Sequence, residues 1–204
     1  MFTNLTPVVK NLVIINGIVF AFLFMINLTS LADLQYYFLL FKNDWILPRP
    51  AGYAELFKPV QLVTHFFAHK EIFHILFNMM ALISLGTGVE YIFGSKKFLE
   101  FYLFCGFVGG ILITTLDPSS APVLGASGAI SGVIVAFAFF FPKERLSVFF
   151  LPPIEARWVA TAIAALSAIF VFTGTGGSIS HFGHLAGMVA AAVYLGFYQL
   201  KAKL

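Results

Sequence analysis

The chain has 204 residues, of which 60% are hydrophobic, 17% aromatic and 10% charged, with a formal net charge of +3. A soluble domain carries roughly 25% charged residues, so this composition excludes an ordinary water-soluble globule and reads as a polytopic membrane protein. The small net charge gives no basis for a nucleic-acid partner, and the single cysteine, Cys105, lies in an apolar run and reads as a packing residue.

The apolar pattern predicts an all-α fold, with six membrane helices at about 11–29, 71–94, 98–116, 127–141, 156–172 and 181–200 of a single domain, 1–204. The first helix follows Lys10 and outlasts the ~7–15 apolar residues of a secretory signal. It is predicted to be retained, with Asn16 and Asn27 bonding to neighbours or lying near the interface. From about 30 to 70 the pattern breaks: Asp33, Lys42, Asp44, Pro48, Arg49, Pro50 and Glu55 alternate with Leu, Tyr, Phe and Trp45. That predicts a large loop lying in the interface, with aromatic rings at headgroup level.

The second helix carries His74, Asn78, Ser84 and Glu90. The turn-rich stretch 117–122 links the third to the fourth, which opens at Ser127. Pro152-Pro153 precedes the fifth, and Gly174-Thr175-Gly176-Gly177-Ser178 forms a link to the sixth, which bears His184. With six spans, Lys10, Lys96, Lys97, Lys143, Arg145, Arg157, Lys201 and Lys203 share one face. The opposite face has Lys42, Arg49, Lys58 and Lys70, all in or next to the long loop. The positive-inside bias then predicts a multi-pass protein of the cell membrane with both termini in the cytoplasm.

This topology puts His74, Asn78, Ser127 and His184 at one depth, in the outer part of the bilayer, where costly polar groups should share a water-reachable interior. Gly128, Gly132 and Ala136 form a small-residue stripe on the fourth helix, and Gly183, Gly187 and Ala191 form another on the sixth. If the two stripes meet, Ser127 and His184 lie at the same end of the contact. A hydroxyl beside an imidazole fits general-base activation of a serine nucleophile. No acid is placed to orient His184; Asp117 is the sole candidate, and a catalytic dyad is the expectation. The Ser127 N–H at the helix start, with Asn78 and His74 four residues apart on one helix face, would receive an oxyanion.

At these residues the chain resembles the rhomboid intramembrane serine proteases. The resemblance rests on Gly125-Ala126-Ser127-Gly128, on His184-Leu185-Ala186-Gly187, on Thr64-His65-Phe66-Phe67-Ala68-His69 followed by His74 and Asn78, and on Gly86, Glu90 and Gly94; it covers about 58–196. It implies a six-helix rhomboid-like bundle, a Ser127–His184 dyad, and His74 and Asn78 near the oxyanion. It further implies single-span transmembrane substrates cut near the membrane boundary, with lateral access beside the fifth helix. His69 is implied as a structural bridge, with Gly125, Gly128 and Ser131 in support. Two positions depart from the family pattern. Lys58-Pro59-Val60-Gln61-Leu62-Val63 replaces a common Trp-Arg anchor of the loop, and Ser131 stands where some members stack a Tyr on the histidine.

No cofactor and no metal is expected. His65 and His69 have a zinc-like spacing but lack the helical Glu of metalloproteases, since Phe66 follows His65. Glu90 is expected to be structural, near the inner end of its helix. The alternatives to a protease are a non-catalytic rhomboid-like protein that binds transmembrane helices, and a small membrane transporter.

Overall fold

The computed structural model describes residues 4–42, 56–117, 119, 121–147, 152–175, 177 and 179–202. Their long helices are α1 (Pro7–Ile26), α2 (Ile72–Phe93), α3 (Ser95–Leu116), α4 (Ser127–Phe140), α5 (Ala156–Thr173) and α6 (His181–Ala202). Helices α1, α2, α3 and α5 are long and apolar enough to cross a membrane, and α4 is a shorter apolar helix. Large apolar side chains such as Ile18, Phe24, Phe73, Trp158, Phe172 and Phe197 are exposed around the bundle. Patches of this extent are stable only where the surrounding medium is itself apolar. The molecule is an all-α polytopic membrane bundle.

The helix ends follow from local chemistry. α1 starts at Pro7, earlier than the hydropathy suggests, because a proline in the first turn has its φ preset and no N–H to leave unpaired. Its next free donors, the N–H groups of Val8 and Val9, go to Glu90 Oε1 and Oε2 at 3.0 and 2.9 Å. Ser95 Oγ donates to the same carboxylate at 2.7 Å. Glu90 thus caps α1 from α2, a favourable place for an anion at a helix N-terminus. α3 begins at Ser95 rather than near 98, because Gly94 at φ 74° reverses the chain within a single residue. One departure has no counterpart in the apolar spacing: α2 widens into a π-helical turn at Leu82–Gly86, where Gly86 faces Val9 and the Phe98 ring.

The described part of the long loop packs into the protein. A 3-10 segment, Ala32–Phe38, exposes Tyr36 and Tyr37, but Leu40, Phe41, Lys42, Gln61 and Phe66 are buried. Trp45 and Arg49 lie outside the described residues. Gln61, fully buried, donates to the carbonyls of Tyr36 and Leu56 at 2.8 and 2.9 Å and accepts from the Lys58 N–H at 3.0 Å. Lys42 is buried and pairs with Asp117 at 3.1 Å.

α6 packs most extensively on α4 and α3, and the two predicted stripes do meet. A Cβ placed on Gly128 would stand 3.4 Å from the Gly183 carbonyl oxygen, and one on Gly132 would stand 3.3 Å from that of Gly187 and 2.6 Å from Cys105 Sγ. A Cβ on Gly187 would run into the Gly128 carbonyl, a backbone group with no way to rotate aside. Cys105 is buried at this seam, in the packing role expected of it.

α4 has 14 residues, about 21 Å at 1.5 Å per residue, against a hydrocarbon core of ~30 Å. Past its C-terminal end, exposed Lys143, Glu144 and Arg145 lead into a two-stranded hairpin, β1 (Arg145–Leu146) and β2 (Ile154–Glu155). Those charges hold that end at the water interface. A helix of that length anchored there would leave its other end, at Ser127, short of the opposite interface.

Gly187→Ala should force α4 and α6 apart and cost at least the ~1–3 kcal/mol of core overpacking. Gly128→Ala should be milder, since its nearest contact is an ordinary one. Thermal unfolding of the two variants in the same detergent checks the order.

Candidate active site

The stretch that leads into Ser127 is clamped by the long loop. Lys42 Nζ donates to the Ala121 carbonyl at 2.7 Å and to Ser119 Oγ at 2.6 Å. Leu40 and Val123 exchange both backbone hydrogen bonds, at 2.8 and 3.0 Å. The Gly125 N–H donates to the His65 carbonyl at 2.9 Å, and the Ala126 N–H donates to His69 Nε2 at 3.5 Å. Asp117, considered as a third catalytic group, is instead the partner of Lys42. His69 is buried and bridges the loop to the residue before Ser127.

Gly125 is required twice over. Its φ of 122° is a conformation that side-chain-bearing residues rarely adopt. A Cβ there would lie 2.8 Å from Cε1 and Nε2 of His74 and 3.8 Å from Ser127 Oγ. The bare backbone thus brings the His74 ring against the turn that presents the serine. His69 stacks edge-on to His74, with centroids 5.0 Å apart.

Ser127 is the first residue of α4, so its N–H has no partner within the helix. Asn78 spends one amide N–H on the His74 carbonyl at 2.9 Å and retains a second donor. On α6, Ser180 caps the helix: its Oγ accepts from the Gly183 N–H at 3.1 Å and its carbonyl from the His184 N–H at 3.2 Å.

A cavity of about 470 Å³ brings the candidates together: His74, Asn78, Ser127, Ser131 and His184 all line it. Its walls are otherwise largely apolar, with Phe77, Ile130, Ile134, Ile163 and Ile179, and with Lys70 and Glu71 also on the lining. Among the described residues no hydrogen bond joins Ser127 Oγ to the His184 ring. The two groups face one cavity as an open pair, and such bonds commonly tighten only when substrate binds. Gly125 and Gly128 lie in the surrounding backbone, Ser131 on the wall, and His69 behind it.

A mostly apolar helical bundle that gathers serines, two histidines and an asparagine on one cavity defines a membrane protein with a polar site. The Rhomboid domain matches residues 57–201, and on that match the chain belongs to the rhomboid family. It is 30% identical over 149 residues to Rhomboid protein 1, mitochondrial, of Saccharomyces cerevisiae, covering 70% of this chain and 42% of that one. It is 36% identical over 142 residues to the rhomboid protease GluP of Bacillus subtilis, covering 70% and 27%. With Rhomboid-like protease 3 of Toxoplasma gondii it shares 31% over 154 residues, covering 73% and 56%. The chain thus spans between about a quarter and just over half of these relatives' length.

The sequence reading missed Ser180, although a serine just before a helix start is a capping signal. It also missed Gln61, Lys42 and Glu71. For the first two the missing information is the fold itself, because their partners lie in segments remote along the chain.

Outside the spans, burial pushes His65 down to about 4 against a partly compensating hydrogen bond from its Nδ1 to the Gln61 carbonyl. Burial, and then the neighbouring His74, push His69 down to about 4. Above the ordinary value of 6.5 both histidines are neutral whether folded or unfolded. Between 6.5 and about 4 the unfolded chain takes up protons that the folded chain does not. Stability should therefore fall on acidification through that window, by up to ~1.4 kcal/mol per pH unit for each histidine. Melting temperature measured against pH should drop more steeply in wild type than in His65→Gln.

Proposed function

We propose that the chain is an intramembrane serine endopeptidase that cuts transmembrane segments of membrane-protein substrates. The observation that carries this reading is the shared cavity, with Ser127 at the head of a short helix and His184, His74 and Asn78 around it. Ser127 Oγ attacks the scissile carbonyl carbon while His184 takes the hydroxyl proton. The oxyanion is received by the Ser127 N–H, Asn78 and His74, donors fixed in a low-dielectric site. The C–N bond then breaks as His184 gives its proton to the leaving amine, leaving an ester on Ser127. Water, deprotonated by His184, attacks that ester; the released carboxylate product carries the new oxygen and Ser127 recovers its proton. The chemistry uses no metal or cofactor.

Substrates of a single span would approach beside α5. That helix buries only Ala156 and Ser167, so it is the span whose displacement costs the least packing. The bias of Lys and Arg supports cytoplasmic termini in the cell membrane. The mitochondrial relatives support a second location, a mitochondrial membrane. Fractionation of tagged cells distinguishes the two.

Detergent-purified wild type should cleave a reporter transmembrane segment. Ser127→Ala and His184→Ala should each lose at least ~10³-fold, as for the removal of one member of a catalytic pair. Equal cleavage by all three would sink the Ser127–His184 reading, and binding of the segment without cleavage by folded wild type would favour a rhomboid-like helix-binding protein.

A further inference from the structure

His184 is the proposed base, yet among the described residues no group hydrogen-bonds either of its ring nitrogens. Something other than a hydrogen bond must hold the ring. His181 lies one turn earlier on the same face of α6. Its ring meets that of His184 edge-on, with centroids 5.8 Å apart and planes at 83°. Its other neighbour is Phe170 of α5, whose ring lies 4.6 Å away at 34°. His181 Nδ1 is buried and accepts or donates no hydrogen bond, so that nitrogen does not anchor the ring. His181 also lines a second cavity of about 350 Å³, with Ser119, Asp117 and Thr175 on its wall. Asp117 there is committed to Lys42.

We propose that His181 is a positioning residue for His184, and that the row Phe170–His181–His184 couples the position of α5 to the orientation of the base. The coupling follows from the geometry. α5 is the least buried span, and Phe170 is its aromatic contact with the first turn of α6. When α5 sits against α6, Phe170 backs His181 and His181 backs the edge of His184. When α5 swings out, His181 loses that backing and the imidazole is free to turn. Alignment of the base would then be completed only after α5 has closed behind a bound segment. The inference rests on the protease reading.

Cleavage of the reporter segment and labelling of Ser127 by a small fluorophosphonate should be measured on the purified full chain. His181→Ala and Phe170→Ala should each lower kcat about tenfold and leave KM within about twofold. His181→Phe, which keeps a ring in the row, should recover most of the rate. The double variant should be no slower than His181→Ala alone, because both changes break one linkage. Fluorophosphonate labelling should slow in His181→Ala and recover in His181→Phe. Should His181→Ala fail to fold, Phe170→Leu keeps the bulk without the ring and should show the same loss in kcat. The proposal is overturned by wild-type kcat in these variants, by losses that multiply in the double variant, or by a change confined to KM. Folded wild type that neither cleaves nor labels overturns the protease reading, and this inference with it.

Discussion

The backbone contact between α4 and α6 is the constraint on which the site depends. Two helices that bring serine and histidine to one cavity must approach closely, and a side chain at Gly187 would meet the carbonyl of Gly128. In a bilayer no hydrophobic effect drives helices together, so close van der Waals packing of small residues has to do it. The seam is the reason that Ser127 and His184, 57 residues apart in a chain of 204, share one wall. α3 joins the same seam through Gly109, which faces the Gly187 backbone.

The second requirement is a fixed approach to Ser127. The residues from Ala121 to Ala126 receive hydrogen bonds or donate them at four points, to Lys42, Leu40, His65 and His69. All four partners belong to the long loop or its junction with α2. The loop is therefore part of the site's scaffold, although none of these partners lines the cavity. It is held in turn by Gln61, whose amide bonds the backbone of Tyr36, Phe41, Leu56 and Lys58 from within the core. Among the described residues, the ties of the loop include the buried Gln61 amide, the buried Lys42–Asp117 ion pair and the Leu40–Val123 backbone pair.

Much of this was legible from residue types alone. Apolar runs set the helices, small residues at four-residue spacing set the seam, and the serine between glycines set the centre of the site. Much of what escaped is pairing between distant segments. Lys42 reads as a surface charge until Asp117 is seen beside it, and Gln61 reads as one polar residue in a loop. Phe170 and His181 look like ordinary members of two helices, because nothing in the spacing of either says that their rings touch. The π-helical turn at Leu82–Gly86 escaped for another reason: a single widened turn leaves the apolar pattern of α2 unbroken.

The carboxylate of Glu90 also has a bearing on how the chain assembles. It bonds to two N–H groups at the start of α1 and to the hydroxyl at the start of α3. A buried carboxyl group is tolerable only once those donors are there to meet it. Inserted in order, α1 offers its bare amides first, and α2 delivers Glu90 to them only after the long loop has crossed and returned. The turn at Gly94 then supplies Ser95 almost at once. The carboxylate therefore ties the start of α1 to the turn between α2 and α3, so that one side chain fixes where three spans meet.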